Sequence, residues 1–267
     1  MSVSWLQTLC RSSCAACVLA LGMLLSSARA GEPLPTQILC YDDVYVPFFM
    51  TADGKYSGLD VDVLREAARR VGIKLEFGLM PWRRIETELA RSHDSGVACA
   101  FGFSRTDKRE QFLEFGKVSL NTTEYTLFVR KETPGIVKLD ELEGKTIGVR
   151  AGFRLPDIIA SGVALKRWRV AEVSTDTVNF QKLALGRVDA VLADRSIGLY
   201  TQRQLHLRGL RIVSPALMRF DTYLVFARSN FSAALAAAFD RAFLSMLQDG
   251  TMERLHAPYL GPMERER

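Results

Sequence analysis

Two aspartates stand where an apolar run ends: Asp42 after residues 37–41, and Asp194 after residues 190–193. A third charged group, Arg109, closes the run Ser104-Arg105-Thr106-Asp107-Lys108-Arg109. A carboxylate at the carboxyl end of a buried strand is placed to receive a cation. A guanidinium offers a carboxylate a planar pair of donors. Ser104 and Thr106 lie just before an expected helix, whose unpaired N–H groups and dipole favour an anion. These residue types bind a small charged molecule. The sequence lacks G-x-S-x-G, H-E-x-x-H and P-loop signatures. Its histidines, His93, His206 and His256, are scattered without metal-ligand spacing. No metal, cofactor or catalytic residue is therefore expected.

The elements that must hold these residues alternate. Strands are expected at 37–41, 74–79, 97–103, 125–130, 146–149, 170–173, 190–193, 210–213 and 223–227. Helices fit 61–71 (capped by Asp60), 83–90, a start at 107–113, 155–159, 177–185, 197–204 and 231–248. The last carries a stripe of Phe231, Leu235, Phe239, Ala242, Phe243 and Met246. Alternation of this kind predicts an α/β fold with mostly parallel sheets flanked by helices. Two such sets predict two small lobes. Ligands bind beyond the carboxyl ends of strands in open sheets, so facing lobes would enclose a cleft.

The chain has 267 residues with 35 basic and 30 acidic side chains, a formal charge of +5, and 48% hydrophobic residues. This composition excludes collagen-like, disordered and disulfide-scaffold classes. Residues 1–30 contain Arg11, no acid, an apolar run at 15–25 and small residues up to Ala28-Arg29-Ala30. That is the pattern of a secretory signal peptide cleaved after Ala30, too short in its apolar run for a spanning helix. Cys17 lacks the preceding leucine of a lipid-attachment site. Cleavage would remove two arginines and three of the five cysteines, leaving +3 with Cys40 and Cys99. The charge is spread along the chain, so no nucleic-acid partner is expected. Cys40 and Cys99 fall on strands expected to be neighbours. Adjacent parallel strands seldom suit a disulfide, so two buried free thiols are expected.

Six stretches give the mature chain a family resemblance. They are Tyr41-Asp42-Asp43-Val44-Tyr45-Val46-Pro47-Phe48, Gly58-Leu59-Asp60-Val61-Asp62-Val63, Ser104-Arg105-Thr106-Asp107-Lys108-Arg109, LDELEGKTIGVRAG at 139–152, GRVDAVLAD at 186–194 and DGTMERLHAPY at 249–259. In order and separation they resemble the family 3 periplasmic solute-binding proteins, the polar amino-acid receptors of ABC importers. The resemblance covers about 37–261. It implies a type II periplasmic-binding-protein-like fold with a ligand cleft between lobes. Lobe one would comprise 31–124 with 222–267, and lobe two 125–221. It further implies that Arg109 and Ser104 hold an α-carboxylate and Asp194 the α-ammonium, with Asp42 a second candidate for the cationic end. Tyr45 would cover the ligand and Trp82 would touch its side chain; an aromatic face attracts a cation and excludes water. Phe48, Phe101 and Phe103 are expected in the core.

The chain departs from the family in lobe two, where Phe153 and Arg154 replace the two threonines of the G-x-Q-G-T-T loop. If Arg154 enters the cleft, an anionic ligand is favoured over a basic one. Val97 also stands where the family has an aspartate. The resulting expectation is a monomeric periplasmic receptor for an amino acid or related carboxylate, serving an ABC permease. A sensory carrier for a membrane receptor would share every site residue. A cyclohexadienyl-dehydratase-like enzyme on the same fold would need a cleft carboxylic acid, and no stretch singles one out. A murein transglycosylase would need a further catalytic domain, which is not expected.

Overall fold

Short apolar runs, each followed by a helix, require parallel strands covered on both faces. The computed structural model describes residues 34–91, 99–132, 139–151 and 155–261, and these form two such arrays. The first contains β1 (Gln37–Asp42), the hairpin β2 (Met50–Ala52) and β3 (Lys55–Ser57), α1 (Leu59–Val71), β4 (Lys74–Leu79), α2 (Trp82–Ala90) and β5 (Cys99–Ser104). One helical turn, α3 (Asp107–Glu110), and β6 (Leu113–Phe115) lead into β7 (Asn121–Arg130). The second array contains β8 (Thr146–Arg150), α4 (Asp157–Ala164), β9 (Arg169–Val173), α5 (Asp176–Ala184), β10 (Ala190–Asp194) and α6 (Arg195–Gln204). The chain returns through β11 (Leu210–Ala227) and closes with α7 (Ser232–Gln248) and α8 (Thr251–Leu260).

The strand order is β4-β1-β5-β11-β7-β10-β8-β9, with β6 also on β11. Strands β4, β1 and β5 pair in parallel, as do β10, β8 and β9. Between these arrays β7 and β11 run antiparallel to each other and to their outer neighbours. The expected runs 210–213 and 223–227 are therefore two ends of one 18-residue strand. Its ladder with β7 skips between Val213 and Met218, around Pro215, which has no N–H to donate.

The second array shows why its strands read as continuous apolar runs. On one face Leu127, Val129, Ile147, Val149 and Leu192 pack with Ile159 and Trp168. On the other, Phe128 and Val191 pack with Phe180 and Leu183 of α5. Helix α6 lies so close that a Cβ on Gly198 would overlap the Phe128 ring. Phe48, Phe101 and Phe103 are buried, as the sequence suggested.

Three expectations are corrected. Asp60 does not cap α1: Gly58 holds that position, and Asp60 is buried inside the first turn, where Asn121 Nδ2 donates to its Oδ1 at 2.6 Å. The helix starting at 107 ends after one turn, because Leu113 and Phe115 bury themselves as a strand against β11. Cys40 and Cys99 are joined in a disulfide rather than left as free thiols. They are register partners on β1 and β5 with Cα atoms 4.5 Å apart, within the range a bridge accepts.

Candidate functional site

The carboxyl ends of β1 and β5 and the start of α2 build one wall. Asp42 ends β1 with 4% of its surface exposed. The Asp43 N–H donates to its Oδ1 at 2.8 Å. Burial pushes the Asp42 carboxyl well above the usual range, partly opposed by that hydrogen bond and reinforced by the charge of Asp60. No basic side chain pairs with Asp42 among the described residues. On the neighbouring strand Gly102, with φ +75°, leaves a bare strip: a Cβ there would touch both Asp42 Oδ2 (3.9 Å) and the Trp82 ring (4.0 Å).

Trp82 opens α2, where its N–H donates to Asp43 Oδ2 at 3.2 Å. Its ring stacks on Phe103 with centroids 4.4 Å apart. Arg109 lies over the same aromatic pair, its guanidinium 4.9 Å from the Phe103 centroid and 6.0 Å from that of Trp82. Arg109 Nη1 donates to Ser104 Oγ (2.9 Å) and to the Ser104 carbonyl (3.0 Å), and Nε faces Glu86 Oε1 at 3.5 Å. Thr106 caps the short turn by accepting from the Arg109 N–H. Asp42, Trp82, Ser104 and Arg109 are thus held on one wall by strand ends, stacking and hydrogen bonds.

The second wall grows from β10, β8 and α5. Asp194 ends β10 and caps α6: Oδ1 accepts from the N–H groups of Ser196 (2.9 Å) and Ile197 (3.1 Å), and Oδ2 from Glu124 (3.0 Å). It is 2% exposed, and burial raises its carboxyl to about 6 despite three donors. Tyr125 lies opposite Asp194 in the β7–β10 register, its ring stacked 6.2 Å from Phe220. Arg150, the last residue of β8, lies 3.8 Å from Asp176, the first of α5. Burial raises the Asp176 carboxyl and the Arg150 charge opposes that rise.

Tyr45 links the two walls. A tight turn in which Tyr45 and Phe49 form a backbone bridge, with the Tyr45 ring stacked on Phe48, presents it. The Tyr45 and Tyr125 side chains lie close enough for each to influence the other's ionisation. Burial raises the Tyr45 ionisation well above the ordinary range, and the charges of Asp194 and Asp176 add to this while Arg150 opposes it. A side chain from the first array therefore lies among the charged groups of the second.

Six of the seven residues singled out from sequence fall into these walls; Arg154 lies outside the described residues. Tyr125, Arg150 and Asp176 were missed. The rule that found Asp42 and Asp194, polar residues at the carboxyl end of a strand or the helix start that follows, would have found Arg150 and Asp176. Among the described residues no helix is long and apolar enough to cross a membrane.

Residues 38–262 match the profile of the bacterial extracellular solute-binding proteins, family 3. The L-cystine-binding protein TcyJ of Escherichia coli K12 is 25% identical over 233 residues, covering 85% of this chain and 83% of its own. The lysine/arginine/ornithine-binding periplasmic protein of the same strain is 28% identical over 260 residues, covering 91% and 95%. The crystal structure of the probable amino-acid ABC transporter extracellular-binding protein YtmK from Bacillus subtilis superposes with a TM-score of 0.71 at 19% identity, covering 86% of this chain and 99% of its own. With its two parallel arrays joined by a pair of antiparallel strands, the chain belongs to the family 3 bacterial extracellular solute-binding proteins.

Proposed function

We propose that the chain is a periplasmic receptor that closes two lobes on a polar amino acid and delivers it to an ABC permease. Lobe one is 31–124 with 222–267, lobe two is 125–221, and β7 and β11 form the hinge. The export signal is cleaved after Ala30. The observation that supports this reading is that Ser104 braces Arg109 in the first array while Tyr45, from the same array, lies within reach of the charge of Asp194 in the second. Arg109 and Ser104 take the α-carboxylate and Asp194 takes the α-ammonium. Trp82 and Tyr45 exclude water from both.

Asp42 decides the far end of the ligand. It is a buried carboxyl with no basic side chain against it among the described residues, so a hydrogen-bond donor or a cation is welcome there and a second carboxylate is not. The relatives' names, a cystine receptor and a lysine/arginine/ornithine receptor, fit a polar side chain. A thermal-shift screen of residues 31–267 against the standard amino acids, cystine, ornithine and simple dicarboxylates tests this, since a tight ligand raises the melting temperature. Stabilisation by an α-amino acid is expected. Stabilisation only by dicarboxylates that lack an ammonium group would reject the reading.

One observation favours a second reading, an enzyme of the dehydratase type. Asp42 is a cleft carboxyl that burial keeps protonated well above its usual range, as a general acid must be. Incubation with prephenate or arogenate, followed by detection of the aromatic product, tests it.

A further inference from the structure

Helix α6 has one end in the candidate site and the other far from it. Asp194 caps its first turn and Arg203 sits in its last, nine residues or about 13.5 Å along. The Arg203 guanidinium reaches the end of α8: Nη1 donates to the Leu260 carbonyl at 3.1 Å and Nη2 to the Tyr259 carbonyl. These carbonyls belong to the last turn of α8, where no intrahelical N–H is left to meet them and the dipole favours a cation. Gly261 follows with φ +82°, and a Cβ there would stand 3.7 Å from Arg203 Nη1. Helix α8 is also fixed to the first array, where the Tyr259 hydroxyl donates to Asp62 Oδ2 on α1 at 2.7 Å. Helix α6 precedes β11 and α8 follows it, so this contact joins elements on opposite sides of the crossing strands without using them.

We propose that Arg203 is a positioning residue for Asp194. By pinning the far end of α6 to α8 it limits the rotation of the second array against the first. It thereby holds Asp194 near the arrangement in which Tyr45 reaches Tyr125. The inference rests on the lobe-closure reading above. A helix of this length moves as a rod, so releasing one end changes the freedom of the other. With the tie cut, the closed arrangement is a smaller fraction of the unliganded population, and the ligand's apparent affinity falls by that fraction.

The test uses residues 31–267 with Arg203→Ala, Arg203→Lys, Asp194→Asn and the double variant Asp194→Asn/Arg203→Ala. Solution X-ray scattering without ligand reads the lobe arrangement, and calorimetry with L-cystine and L-arginine as probes reads affinity. Arg203→Ala should increase the radius of gyration and weaken a binding probe three- to tenfold. Arg203→Lys, which keeps one donor, should recover part of both. In the Asp194→Asn background Arg203→Ala should cost little more, because the two act through one helix. Unchanged scattering and affinity, with faster hydrogen exchange confined to 251–261, would reduce Arg203 to a helix cap and overturn the proposal. If the wild type binds neither probe, the ligand reading is what fails, and scattering alone decides Arg203: an unchanged profile rejects the tie.

Discussion

Tyr45, in the turn after β1, lies beside Tyr125 of β7, close enough for the charge of Asp194, the register partner of Tyr125, to raise its ionisation. Tyr45 offers an aromatic face and a polar tip, and the two are separable by mutation. Tyr45→Phe keeps the face and removes the polar tip, whose hydrogen bonding to a bound ligand would be worth a net of about 0.5–1.5 kcal/mol. Ligand affinity should fall roughly two- to tenfold, and Tyr45→Ala should cost clearly more. Calorimetry on the two variants checks this; equal losses would mean that the ring contributes nothing.

Arg109 is the sharper case. Its guanidinium is held by Ser104 and lies over Trp82 and Phe103, an arrangement that a lysine ammonium cannot reproduce. Arg109→Ala should abolish binding of any carboxylate ligand, and Arg109→Lys should weaken it at least tenfold. Retained affinity in Arg109→Lys would show that a point charge suffices and that the fork geometry is idle.

Much of this arrangement was legible in the sequence, for identifiable reasons. Strands covered on both faces must be apolar throughout, so 190–193 announced both itself and the aspartate at its end. The middle of strand β11 was not legible, because between the arrays it exposes Arg219 and Asp221 and carries Pro215, and the apolar signal lapses although the strand continues. Helix α8 was passed over because Pro258 interrupts its pattern, yet the proline falls in the last turn, where its missing N–H costs one bond. Arg150 and Asp176 were missed because charged residues at element ends are usually solvated, and only the influence of their charges on Tyr45 ties these two to the first array.

The disulfide between Cys40 and Cys99 closes a loop of 59 residues between the two strands that carry Asp42 and Ser104. Cross-linking a loop of that size restricts the unfolded chain by about 2–4 kcal/mol. Cys40→Ala/Cys99→Ala should lower the free energy of unfolding by that amount in urea titrations of the oxidised protein. Equal stability of the double variant and the wild type would place the effect in native-state strain instead.

Asp60 provides a pH test of the contact between α1 and the start of β7. Burial raises its carboxyl to about 7, with the Asn121 amide only partly offsetting the shift. Its pKa is thus higher folded than unfolded, where it lies near 4. Between those values the native state binds more protons than the unfolded chain, so stability falls as pH rises. The contribution is fully present below about pH 4 and is lost as pH passes through about 7. Asp194, raised to about 6, acts in the same direction over a narrower window. Asp60→Asn keeps an oxygen to accept from Asn121 and removes the titration. The wild type should therefore lose more stability than Asp60→Asn between pH 5 and pH 8, with the difference largest at the alkaline end. Urea denaturation of both proteins at the two pH values checks this, and parallel loss in the variant would assign the pH dependence to other carboxylates.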